Sequence, residues 1–100
     1  MYVVKTGRAT ADALVCEWLA ASLARTVGLP VPDFEVVTCA AEVASESLVD
    51  GADWLGRAPG FGSHWVKDCV QLPPVGLEQV PAELRAKVLF FDHWICNRDR

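Results

Sequence analysis

The chain has 100 residues, 52% of them hydrophobic and 22% charged, with a formal net charge of −4. That length allows one small domain or part of one, and the composition is that of a folding chain, far from the low-hydrophobicity, high-charge signature of disorder. The acidic balance offers no basic footprint for nucleic acid or for an anionic membrane surface, so neither is expected as a partner.

The chain opens with Tyr2, Val3, Val4 and Lys5, a β-branched and aromatic run stopped by Gly7 that reads as a strand. Its nearest later pairing candidate is 34–38, and a sheet begun so early is expected to need further strands. A helix is expected from Thr10 or Asp12, both able to cap, to Val27, with Leu14, Val15, Trp18, Leu19, Leu23 and Val27 on one stripe. Gly28 supplies a left-handed stop, with Pro30 and Pro32 beyond it. A second face carries Ala13, Glu17, Ala20, Ala21 and Ala24, so one carboxylate projects from a surface of small residues that lets another element come close. Glu17 is therefore expected to be partly buried.

Residues 34–38 read as a strand and 40–48 as a short helix or irregular connection. The segment 50–74 is rich in glycine and proline and is expected to be looped, with a short strand at 65–70. Gly60 to Ser63 reads as a loop shaped by glycine, not as a phosphate clamp, because a lone Gly-Phe-Gly is weak evidence. Pro81 at a first helical position begins a final helix that buries Leu84, Val88, Phe91 and Ile95. Three of the four residues that follow at 97–100, Asn97, Arg98, Asp99 and Arg100, are charged, and such residues directly after an apolar helix mark a solvated tail or a functional loop.

Cys16, Cys39, Cys69 and Cys96 include no C-x-x-C pair, and the N-terminus has no apolar segment of signal-peptide length. Four reduced thiols in a cytoplasmic protein are expected. Charged residues interrupt every apolar run before it reaches the roughly 18 residues a spanning helix needs. His64 and His93 have no second ligand at metal spacing, so no metal site is assigned. The four tryptophans read as core or loop anchors rather than a ligand cage.

One arrangement carries chemistry. Phosphoryl transfer needs a cation on the nucleotide phosphates, a carboxylate to position that cation, an aspartate near the attacking hydroxyl, and metal ligands. Lys5 ends a strand, Glu17 sits on the next helix and Asp99 follows a late apolar helix, which is the order in which a kinase fold presents the first three.

Four segments in that order resemble the HipA-like kinase family: Tyr-Val-Val-Lys at 2–5, the Glu17 helix followed by Gly-Leu-Pro-Val-Pro at 28–32, Gly-Phe-Gly-Ser at 60–63, and Phe-Asp-His-Trp-Ile-Cys-Asn-Arg-Asp-Arg at 91–100. The resemblance covers nearly the whole chain and implies an α+β, partial protein-kinase-like fold. It divides the chain into an N-lobe remnant over 1–40 (a small antiparallel sheet with a packed helix), a loop-rich connection over 41–80, and over 81–100 a helix with the start of the catalytic loop. It implies ATP and Mg²⁺ as cofactors, with Lys5 on the ATP phosphates, Glu17 paired to Lys5, and Asp99 as the catalytic-loop aspartate. Asn97 and Arg100 match the surrounding loop without a separate chemical step.

The resemblance also has gaps. The family's phosphate-covering loop and its two metal ligands, an asparagine and a later aspartate, have no counterpart within 1–100, so these residues alone are expected to show no turnover. The implied activity is transfer of the γ-phosphate to a protein serine or threonine. Two other readings stay open: a phosphatidylinositol-kinase-like fragment, which would share the Asp-Arg loop but be expected to carry more basic surface, and a non-catalytic binding module or degenerate remnant. Exposed sheet edges predict association of the 100-residue chain.

Overall fold

The computed structural model describes residues 1–6, 11–50, 52–69 and 74–97. Its elements are β1 (Tyr2–Lys5), α1 (Ala11–Thr26), β2 (Phe34–Val37), α2 (Ala41–Glu46), α3 (Ala52–Leu55), β3 (Gly60–His64), a 3₁₀ turn over Pro74–Gln79, and α4 (Ala82–Trp94). The class is α+β with a small antiparallel sheet, as expected.

The sheet order corrects the sequence reading. β1 and β2 do not pair with each other; β3 lies between them, antiparallel to both, with Lys5 and Val36 opposite Phe61 and with Val4 and Glu35 opposite Gly62. Thus 60–63 lies in the central strand rather than a loop, and the described part of the expected 65–70 strand, 65–69, is not a strand, residue 70 lying outside the described residues. Glycine weakens a strand by propensity, but here its missing side chain is what lets the neighbours close in. A Cβ at Gly62 would stand 2.4 Å from Val37 Cγ2, and one at Gly60 would stand 2.8 Å from the Lys5 carbonyl oxygen. The ladder extends past the strand: His64 N–H donates to the Asp33 carbonyl at 2.7 Å and Trp65 N–H to the Met1 carbonyl at 2.8 Å. The helical turns over 52–55 and 74–79 lie in or beside a segment expected to be looped.

Helix α1 ends where expected. Gly28 has φ 77°, its N–H donates to Arg25 at 3.0 Å, and Leu29 N–H donates to Ala24 at 2.9 Å, the paired bonds of a Schellman stop. Most of its apolar stripe stays open, and the alanine face is the one that turns inward. Val15 is 56% exposed, and Leu19, Leu23 and Val27 are exposed too, whereas Ala24 is 5% exposed. On the alanine face Ala24 packs with Leu29 and Phe91 in the core, while Ala20 and Ala21 face Phe34 and Phe61 across a recess. Trp18 leans over the sheet, its ring edge-on to Phe34 at 5.0 Å and to Phe61 at 6.3 Å.

Helix α4 buries its predicted stripe. Phe91 joins Ala24 and Leu29 in the core, with Leu84, Val88 and Ile95 packed around them. Pro81 sits one place earlier than expected, at the N-cap with extended ψ 134°, where its missing N–H costs nothing. Arg25 ties the end of α1 to the start of β2, its guanidinium 3.2 Å from Asp33 Oδ1 and 4.3 Å from the Phe34 ring centroid. Among the described residues no helix is long and apolar enough to cross a membrane.

Candidate functional site

Residues directly opposite on neighbouring strands send their side chains to the same face of a sheet. Lys5 is opposite Phe61, so its side chain rises on the face that α1 covers. Glu17 stands on the alanine face of α1, which is turned to that sheet. The two meet: Lys5 Nζ donates to Glu17 Oε1, a charge-assisted bond between a strand end and a helix. Glu17 is half-buried, as its alanine surroundings imply.

The side chains of the pair are 55% and 39% exposed. An ion pair so open to water contributes about 0–1 kcal/mol to folding. Its consequence is positional, since it holds the Lys5 ammonium against Glu17, a wall residue of a recess, while leaving it reachable.

The recess beside the pair has a volume of about 260 Å³ and is walled by Glu17 and Ala20 of α1, Phe34 and Phe61 of the sheet, and Phe91 and Asn97 at the end of α4. It therefore joins the Lys5–Glu17 pair to the chain that leaves α4. Asn97 is fixed there by Asp92: its N–H donates to the Asp92 carbonyl at 2.8 Å and its Nδ2 to Asp92 Oδ1 at 3.1 Å. Asp92 itself is only 8% exposed. Asp99 and Arg100 lie outside the described residues. Of the three predicted site residues the structure brings Lys5 and Glu17 together, and it describes the chain to within two residues of the third.

Three residues at or near the recess were not singled out from sequence. Asp92 reads there only as an interruption of an apolar run, and its signal is the five-residue spacing to Asn97 across a helix end. Ser63 lines the recess but is hidden in a segment read as a loop. Arg25 braces the neighbouring strand.

The opposite face of the sheet carries Tyr2, Glu35 and His64. Tyr2 is raised above its ordinary 10.0 first by a hydrogen bond to Glu35, and its ring meets His64 edge-on at 5.4 Å. Among the described residues no three histidines, cysteines or carboxylates gather to hold a metal. All four cysteines are free thiols.

No curated protein and no solved structure matches the chain. A family model does, the one described as HipA-like kinase, and it matches residues 1–100. With the lysine–glutamate pair already located between strand and helix, that match over the full span assigns the chain to the HipA-like kinase family.

Proposed function

We propose that the chain forms the nucleotide-anchoring part of an ATP-dependent HipA-like kinase that phosphorylates a protein serine or threonine in the cytoplasm. The observation that carries this reading is the contact between Lys5 and Glu17 beside the recess that ends at Asn97. ATP, when bound, supplies the phosphoryl group. The Lys5 ammonium binds its phosphate oxygens, and the Glu17 carboxylate keeps that ammonium from swinging into water. The Asp99 carboxylate takes the proton of the acceptor hydroxyl. The four unpaired thiols support a reducing compartment.

The described residues fit the nucleotide better than the metal. They present a positioned cation for phosphate but no converging set of metal ligands, so no step is assigned to Mg²⁺. In the family pattern those ligands fall outside 1–100, and these residues alone are accordingly proposed to turn over no phosphate.

A second reading, a non-catalytic docking module, draws on the exposed stripe of Val15, Leu19, Leu23 and Val27. Thermal melts with and without Mg·ATP separate the two, on the protein expressed from its full reading frame. Ligand at about 100 times its Kd stabilises the fold that binds it by about 2.7 kcal/mol. The kinase reading expects an upward shift that Lys5→Ala abolishes. No shift, or an equal shift in Lys5→Ala, favours the docking module.

A further inference from the structure

The two long helices end in the same backbone motif with opposite chemistry. At the end of α1, Gly28 takes the left-handed conformation and the 24–29 bond closes over two apolar residues, Ala24 and Leu29, both in the core. At the end of α4, Cys96 takes that conformation at φ 56°, Cys96 N–H donates to His93 at 3.3 Å, and Asn97 N–H donates to Asp92 at 2.8 Å. The equivalent positions are now Asp92 and Asn97, joined by their side chains as well.

An apolar contact between these two positions is the usual companion of the motif, and α1 shows that this chain can use it. A buried carboxylate is costly unless hydrogen-bonded, and a left-handed non-glycine residue persists only where its surroundings over-determine it. Ending a helix requires neither. The polar version adds a grip on the side chain of Asn97 in addition to its backbone, at a wall of the recess and two residues before Asp99 in the chain.

We propose that Asp92 is a positioning residue: through its carbonyl and carboxylate it sets the course on which the chain leaves α4 toward Asp99. The inference rests on the kinase reading for its catalytic consequence and on the α4 geometry for its structural one.

The test uses the protein expressed from its full reading frame, carrying Asp92→Ala, Asp92→Asn or Asn97→Ala, and reads amide exchange at residue 97 together with kcat and KM for ATP. Loss of a net hydrogen bond is expected to speed exchange by about tenfold in Asp92→Ala. Misplacement of the catalytic aspartate by about 1 Å is expected to lower its kcat about 100-fold. KM for ATP should stay within about twofold, because Lys5 and Glu17 are untouched. Asp92→Asn keeps an oxygen acceptor for Asn97 and should recover most of both effects. If Asp92→Ala does not fold, Asn97→Ala removes the same side-chain bond and carries the same expectation. Unchanged exchange, an unchanged kcat, or a KM that rises as kcat falls overturns the proposal. A wild-type protein that neither binds Mg·ATP nor transfers phosphate overturns the kinase reading instead, and exchange at residue 97 then decides alone whether Asp92 fixes the exit path.

Discussion

Lys5 at the end of β1 donates to Glu17 on α1, 12 residues later in the chain, and the bond is open to solvent on both sides. A pair placed there for stability would be a poor investment of two long side chains, since exposed ion pairs contribute about 0–1 kcal/mol. Glu17→Gln is therefore expected to change unfolding free energy by less than about 1 kcal/mol. In the full-frame protein it should weaken Mg·ATP binding about tenfold, the equivalent of one charge-assisted bond. Urea melts and titration calorimetry read the two separately, and a large loss of stability with unchanged affinity would show the pair to be structural.

The central strand makes a sharper stability prediction. A Cβ on Gly62 would overlap Val37 Cγ2 at 2.4 Å in an antiparallel ladder with strands on both sides. Gly62→Val is expected to destabilise the fold by about 1–3 kcal/mol through overpacking, despite the higher strand propensity of valine. A urea midpoint equal to or above that of the wild type would contradict the register.

Cys96 occupies a conformation that costs an ordinary L-residue roughly 1–2 kcal/mol, set against the roughly 0.5–1 kcal/mol that glycine loses in chain entropy. Cys96→Gly is expected to raise stability by up to about 1 kcal/mol. The motif at α1 already uses glycine at this position, Gly28. A lower melting temperature for Cys96→Gly would show that the thiol makes a contact worth more than the strain.

On α4, the Lys87 ammonium 2.9 Å from Glu83 holds the Glu83 carboxyl below its ordinary 4.5, first by a hydrogen bond and then by charge. A depressed carboxyl contributes stability that is fully present above 4.5 and lost as pH falls through the folded value. Lys87→Met should consequently lower stability slightly at neutral pH and not at all in strong acid, and salt should shrink the difference. A gap between variant and wild type that widens on acidification would reverse the assignment.

These expectations show where sequence reasoning reached and where it stopped. The bounds of α1 and α4 were readable because apolar periodicity and a glycine or proline mark them locally. Lys5 and Glu17 were readable as a pair because their order along the chain resembles a known kinase pattern. The inward turn of the alanine face of α1 was not, since Ala24 packs with Phe91, and Ala20 and Ala21 face Phe34 and Phe61, all from later positions in the chain. The 60–64 strand was hidden because glycine signals a turn locally, and only Val37 and the Lys5 carbonyl show why it is needed inside a sheet. Asp92 went unnoticed because a buried carboxylate is intelligible only once its partner across the helix end is seen.

The most direct test of the account is transfer of radiolabelled γ-phosphate by the full-frame protein, compared with Lys5→Ala and Asp99→Asn. The account predicts transfer by the wild type that falls by at least about 100-fold in either variant, as expected when a positioning or proton-accepting group is removed. Undiminished transfer by Lys5→Ala, or none by the wild type, would contradict it.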